Sequence, residues 1–230
     1  MDRRKIEVEP GMEVASVWAF PDEPARECPV LILAHGAGSS MEHPFLSFVQ
    51  EALNRRGIMT VKFNFPYVEA GRKVPDHPKR LARTWRTVIA RVRTEIKPGA
   101  LFLGGRSMGG RIASMVAAEG EEVSGLVLLG YPLHPADRLD ALRAEHLAHI
   151  ACPMLFVQGT RDQLCNLDAL RGVLARLSAP VTLRLIEEGD HSFKVPMRIG
   201  KTSSQIWEEI VGCVESWLTG VAQIAVGGQR

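Results

Sequence analysis

No apolar run in the chain approaches the roughly 20 residues that a membrane-spanning helix needs. An apolar leader core is also missing. Met1-Asp2-Arg3-Arg4-Lys5 is basic, but Ile6-Glu7-Val8-Glu9 follows it. The expectation is a soluble, cytoplasmic protein with no membrane partner. Charge of one sign is scarce. A formal net charge of +2 over 230 residues is too small to draw nucleic acid. Cysteines are few and scattered, at Cys28, Cys152, Cys165 and Cys213. They form no C-x-x-C, and no Cys/His pair has zinc-ligand spacing. Free thiols in a reducing compartment are the simple expectation. Repeats and low-complexity linkers are absent. Neither G-x-G-x-x-G nor G-x-x-x-x-G-K-[ST] occurs, which argues against a nucleotide site.

What is present is an ordinary globular composition, 46% hydrophobic, in one expected domain over residues 1–230. A chain of this size can bury roughly 70–75% of its unfolded surface without disulfides or metals. Residues 6–20 read as a hairpin turned at Glu9-Pro10-Gly11, and 21–29 as a polar loop with three prolines. Apolar runs then alternate with one-sided helical stripes. The runs are 30–34, 58–63, 100–103, 125–130, 153–158 and 181–186. The stripes are Phe45 to Leu53, Leu81 to Ile96, the segment 111–119, Leu167 to Leu177, and Ile206 to Leu218. A loop is expected over 64–78, a short helix over 139–149, and a fraying tail from Gly220. This alternation predicts an α/β protein with a mostly parallel sheet and helices on both faces.

In such sheets the chemistry gathers beyond the carboxyl ends of the strands. Gly105-Arg106-Ser107-Met108-Gly109 stands after one apolar run and before a helix, and reads G-x-S-x-G. A turn that tight needs near-absent side chains two positions either side of the serine, which Gly105 and Gly109 supply. Serine needs a base to take its proton, and a carboxylate to orient that base. His191 follows the last run, in Gly189-Asp190-His191-Ser192. Asp162 follows the run before it, in Gln158-Gly159-Thr160-Arg161-Asp162. Asp137 and Asp140, one run earlier, compete with Asp162. Asp190 adjoins His191 too closely to hold its Nδ1, and Asp168 falls inside a helical stripe. The charge developing on a substrate oxygen needs two amide donors. Met108 N–H is one; Ala37 N–H, in His35-Gly36-Ala37-Gly38, is the expected other.

These four motifs together resemble the α/β-hydrolase superfamily over essentially the whole chain. The chain is similar to the compact dienelactone-hydrolase-like branch, although that enzyme carries cysteine where this chain has Ser107. More narrowly, Gly104-Gly105-Arg106-Ser107-Met108-Gly109 with Tyr131-Pro132-Leu133-His134-Pro135 is similar to a group of predicted hydrolases. That group includes the testis-expressed protein 30 type and hydrolase-like subunit 3 of the NSL acetyltransferase complex. The resemblance implies an α/β-hydrolase fold and a Ser107-His191-Asp162 triad, and leaves the substrate open.

The expected activity is hydrolysis of an ester or thioester of a small acyl substrate, without metal or organic cofactor. The alternatives are a hydrolase-like scaffold that binds a protein, or a serine peptidase. A homodimer is allowed but not required. About twenty residues separate Gly130 from Pro153, too few for a lid domain, so the cap is minimal. The expected walls are 64–78, 131–149 and 192–202. His35, Gly36, Arg106, Tyr131 and His134 are the candidate pocket residues. His134 reads equally well as a loop residue packing on Tyr131. Arg80, Arg83, Arg86, Arg91 and Arg93 fall on one helix and read best as a solvated face.

Overall fold

Strand β1 (Asp2–Glu9) and strand β2 (Met12–Ala19) form the hairpin that Pro10-Gly11 predicts. Gly11 takes φ +73°, where a side chain would be strained. The computed structural model describes residues 1–22 and 28–227, the last three (225–227) as backbone only. The polar loop expected over 21–29 therefore lies partly outside the described residues.

Six further strands follow: β3 (Val30–Ala34), β4 (Met59–Phe63), β5 (Leu101–Arg106), β6 (Gly125–Leu129), β7 (Met154–Gly159) and β8 (Val181–Ile186). They join β1 and β2 in one sheet of order β1-β2-β4-β3-β5-β6-β7-β8. β2 runs antiparallel to β1 and β4, and every other pairing is parallel.

The apolar runs are continuous because both sheet faces are covered. On one face Ile32, Val61, Leu103, Leu126 and Phe156 pack under α3 (Pro78–Ile96), α4 (Met108–Ala118) and α5 (Leu167–Leu174). On the other, Leu31, Leu33, Phe102, Val127 and Leu155 pack under α1 (Pro44–Asn54) and α6 (Ser203–Gly227). Edge strand β8 instead alternates between half-buried and exposed residues over most of its length.

Both α1 and α3 begin at a His-Pro pair. His43 Nδ1 accepts the Phe45 N–H, and His77 Nδ1 accepts the Lys79 N–H. Each histidine supplies an acceptor to the open first turn, while Pro44 and Pro78 fill positions whose missing N–H costs nothing. α3 therefore starts three residues before its apolar stripe does.

Three expectations are corrected. The loop over 64–78 contains a one-turn helix, α2 (Pro66–Glu69), opened by proline at its first position. The short helix expected over 139–149 shrinks to a 3₁₀ turn at Glu145–His149. Its early half is tied back instead, since Arg143 N–H bonds Leu133 O at 2.7 Å and Tyr131 Oη donates to Arg143 O at 2.6 Å. Of the segment expected to fray from Gly220, residues 220–227 are helical, because α6 continues to Gly227, and 228–230 lie outside the described residues. Ala222 is still buried against the sheet there.

The arginines of α3 are taken up by carboxylates. Arg80 and Arg83 pair with Glu9, Arg86 with Glu119, Arg91 with Glu95 and Arg93 with Glu121. All four cysteines are free. Among the described residues no helix is long and apolar enough to cross a membrane.

Candidate active site

The tight turn between β5 and α4 puts Ser107 at φ 52° and ψ −121°, a conformation that costs a non-glycine residue about 1–3 kcal/mol. Packing enforces it. A Cβ on Gly105 would lie 2.6 Å from Ala34 O, and one on Gly109 only 2.4 Å from the same oxygen. Neither fits, so both positions must be glycine. The Ser107 N–H is anchored to Leu129 O at 2.9 Å.

Loops from two neighbouring strands converge on this serine. His191 Nε2 lies 2.8 Å from Ser107 Oγ, and His191 Nδ1 lies 2.7 Å from Asp162 Oδ2. The Asp162 side chain is fully buried, and that of His191 is 23% exposed, so the line runs from the interior outward. Asp162 also accepts Gln158 Nε2–H at 2.6 Å and the Leu164 N–H at 2.8 Å. A buried carboxylate needs such donors to offset its lost hydration.

The other carboxylates weighed in the sequence stand elsewhere. Asp137 and Asp140 are exposed. Asp168 is exposed and pairs with Arg171. Asp190 accepts the N–H groups of Ser192 and Lys194 through Oδ1, at 2.7 and 2.9 Å, and so shapes the loop that carries His191. Buried Phe193 pins that loop against Phe45, with ring centroids 5.4 Å apart.

The Ala37 and Met108 N–H groups are both unused by backbone hydrogen bonds among the described residues. Ala37 is exposed on the loop after β3. A Cβ on Gly36 would stand 3.4 Å from Ser107 Cβ and 3.5 Å from Arg106 Nη1, so this loop closes over the serine.

Three of the five candidate pocket residues do not line an open pocket. His35 is fully buried. Its Nε2 accepts the Phe65 N–H at 3.2 Å, so Nδ1 carries the proton and donates to Gly36 O at 2.9 Å. Burial lowers its pKa to about 4 and keeps the ring neutral. Its role is to clamp the loop that presents Ala37. Tyr131 is buried, with its hydroxyl spent on Arg143 O. His134 is buried too, donating from Nδ1 to Pro135 O and accepting the Asn166 N–H on Nε2. Strand-end position predicts nearness to the site but not direction, and these side chains turn inward. Arg106 and Gly36 stay beside the serine.

Two features escaped the sequence reading. Gln158 is fully buried at the end of β7, accepting the Tyr131 N–H on Oε1 while donating to Asp162 from Nε2. A polar residue closing an apolar strand was the available signal, because buried amides demand partners. The close-approach role of Gly159, read from sequence only as part of its turn, is the second. A Cβ there would lie 2.3 Å from Gly189 O, so only glycine lets the aspartate loop reach the histidine loop. Beside His191 lies a cleft of about 500 Å³, bordered by Arg161, Leu164, Glu188, Lys194 and Pro196.

The sheet order, the strained serine turn and the loops converging on it define an α/β-hydrolase architecture. Residues 27–219 match the family described as alpha/beta hydrolase domain, and the chain belongs to that family. Solved structures agree on the fold. An alpha-beta serine hydrolase homologue from Coxiella burnetii superposes with TM-score 0.74 at 20% identity, over 94% of this chain and 96% of that one. Dienelactone hydrolase from Anabaena variabilis gives 0.75 at 19%, over 95% and 96%. An a/b serine hydrolase without lid from Xanthomonas campestris gives 0.69 at 21%, over 99% and 94%.

Proposed function

We propose that the protein is a serine hydrolase that cleaves an ester or thioester of a small acyl substrate through an acyl-enzyme. One observation carries this reading: the hydrogen-bonded line from Ser107 Oγ through His191 to buried Asp162, at 2.8 and 2.7 Å. In the proposed reaction His191 Nε2 takes the Ser107 proton as Oγ attacks the acyl carbon. Asp162 holds the Nδ1–H tautomer and steadies the imidazolium that forms. The amides of Ala37 and Met108 receive the oxyanion. His191 returns the proton to the leaving oxygen or sulfur, and water then resolves the acyl-enzyme by the same relay. The proposed substrate is a small acyl molecule, and the roughly twenty residues between Gly130 and Pro153 build no lid domain over it.

The test is turnover of matched acyl esters, thioesters and peptides by the wild type and by Ser107→Ala. Serine-dependent cleavage of esters or thioesters, but not peptides, is expected. Cleavage of peptides alone, or no serine-dependent cleavage, would contradict the proposal.

A further inference from the structure

Arg106 precedes the nucleophile and is partly buried, yet no carboxylate stands within 4 Å of its guanidinium among the described residues. That sets it apart from the arginines of α3, each of which meets a glutamate. Its Nη2 donates to Ser192 Oγ at 2.7 Å. Its Nε is enclosed and has no partner. Its Nη1 donates to nothing among the described residues and, unlike Nε, is not sealed from solvent. The Gly36 Cβ position that lies 3.5 Å from this nitrogen lies 3.4 Å from Ser107 Cβ, so the free donor and the nucleophile flank one small volume.

The negative groups nearest Arg106, Asp190 and then Asp162, act on it through space without coming within 4 Å of its guanidinium, and their oxygens are committed to other donors. Asp162 holds His191, Gln158 and the Leu164 N–H, and Asp190 holds two loop amides. The pKa of His43 is lowered, by burial first and then by the charge of Arg106, so it offers Arg106 no negative partner. A half-buried cation costs free energy unless an anion meets it. Arg111, on the other flank of the elbow, directs its Nη1 to Met115 Sδ.

We infer that Arg106 is an anion subsite, and that the substrate carries a carboxylate within reach of the bond that Ser107 attacks. This rests on the serine-hydrolase reading for the reacting bond, but not for binding. A planar guanidinium with an open N–H suits an oxyanion. The anion serves recognition and takes no part in the bond changes at Ser107.

The experiment compares 4-nitrophenyl hydrogen adipate with the neutral 4-nitrophenyl adipamate. A second pair places carboxylate or carboxamide on the phenol leaving group. The readout is the kcat/KM ratio of anionic to neutral ester within each pair. The wild type should favour the anionic member of at least one pair, and the responding pair assigns the anion to the acyl or the leaving side. Arg106→Gln should lower that ratio about 10- to 100-fold, as expected for one charge-assisted contact. Arg106→Lys should restore part of it, and Arg111→Gln, which removes the same charge nearby, should not change it. Calorimetric binding of adipate against adipamide supplies a readout independent of turnover.

Arg106-dependent adipate binding without turnover of any ester would support the subsite and sink the hydrolase reading instead. Equal losses on both members of a pair would mean that Arg106 positions the His191 loop, and would overturn the inference. So would a ratio that Arg106→Gln leaves unmoved, or adipate binding that ignores Arg106 when no ester is turned over.

Discussion

Gln158 donates to Asp162 Oδ2 at 2.6 Å, the same oxygen that faces His191 Nδ1 at 2.7 Å. The amide thereby joins the Tyr131 N–H, after β6, to the acid after β7. Gln158→Met keeps the volume but removes a donor from Asp162 and leaves the Tyr131 N–H unpaired. Stability should fall by about 1–3 kcal/mol, the cost of one buried unsatisfied group. Turnover should fall about tenfold with KM little changed, because the loss acts on the orientation of Asp162 and His191. Denaturant melts and initial rates check this; a lower Tm with unchanged kcat would reduce Gln158 to a packing residue.

The strain at Ser107 separates two substitutions that chemistry alone would equate. Ser107→Ala and Ser107→Gly should both abolish turnover. Only glycine relaxes at φ 52°, so the glycine variant should be the more stable by about 1 kcal/mol. Paired denaturant curves measure the difference, and equal stabilities would argue against a strained turn.

The choice of acid is tested by amides. Asp162→Asn can donate toward the Nδ1 that ought to donate to it, and should lower kcat by about 10⁴, the loss seen for such a change in a well-studied triad. Asp137→Asn and Asp140→Asn, both exposed, should stay near wild type. Asp190→Asn keeps an Oδ1 that can accept the Ser192 and Lys194 amides, so it should retain most activity. If Asp137→Asn or Asp140→Asn collapses the rate instead, the acid lies after β6.

Much of this was legible in residue order. Apolar runs marked the six parallel strands because a sheet covered on both faces leaves few polar positions along its central strands, and edge strand β8, which alternates half-buried and exposed residues, was still legible. Ser107, Asp162 and His191 could be placed from residue order at the carboxyl ends of β5, β7 and β8, which share one edge of the parallel sheet, and there their side chains stand within hydrogen-bond distance of one another. The directions of His35, Tyr131 and His134 were not legible. Each turns inward to satisfy loop amides or carbonyls, and those partners exist only after folding. Gln158 was hidden for the same reason, and the 139–149 helix failed because Tyr131 and Leu133 capture Arg143.

Acid should destabilise the fold through His35. Its pKa is lowered by burial from the ordinary 6.5 to about 4 in the native protein. The unfolded chain therefore binds a proton between those values that the native state refuses. The stabilisation is complete above 6.5, falls as pH drops from 6.5 toward 4, and is lost below. His146, also lowered to about 4 by burial and the charge of Arg111, adds to the same limb. His35→Gln should flatten the acid limb without removing it. Unfolding free energy measured from pH 7.5 to 4 decides this, and an unchanged slope would mean that His35 is not held neutral.

The most direct measurement is intact-protein mass spectrometry after treatment with a fluorophosphonate, which reacts with activated serines. A single adduct per chain, mapped to Ser107, is expected on the wild type. Ser107→Ala should abolish it, and His191→Ala should slow its formation by orders of magnitude. No adduct on the wild type, or an adduct that survives Ser107→Ala, would contradict the assignment of Ser107 as a nucleophile activated by His191.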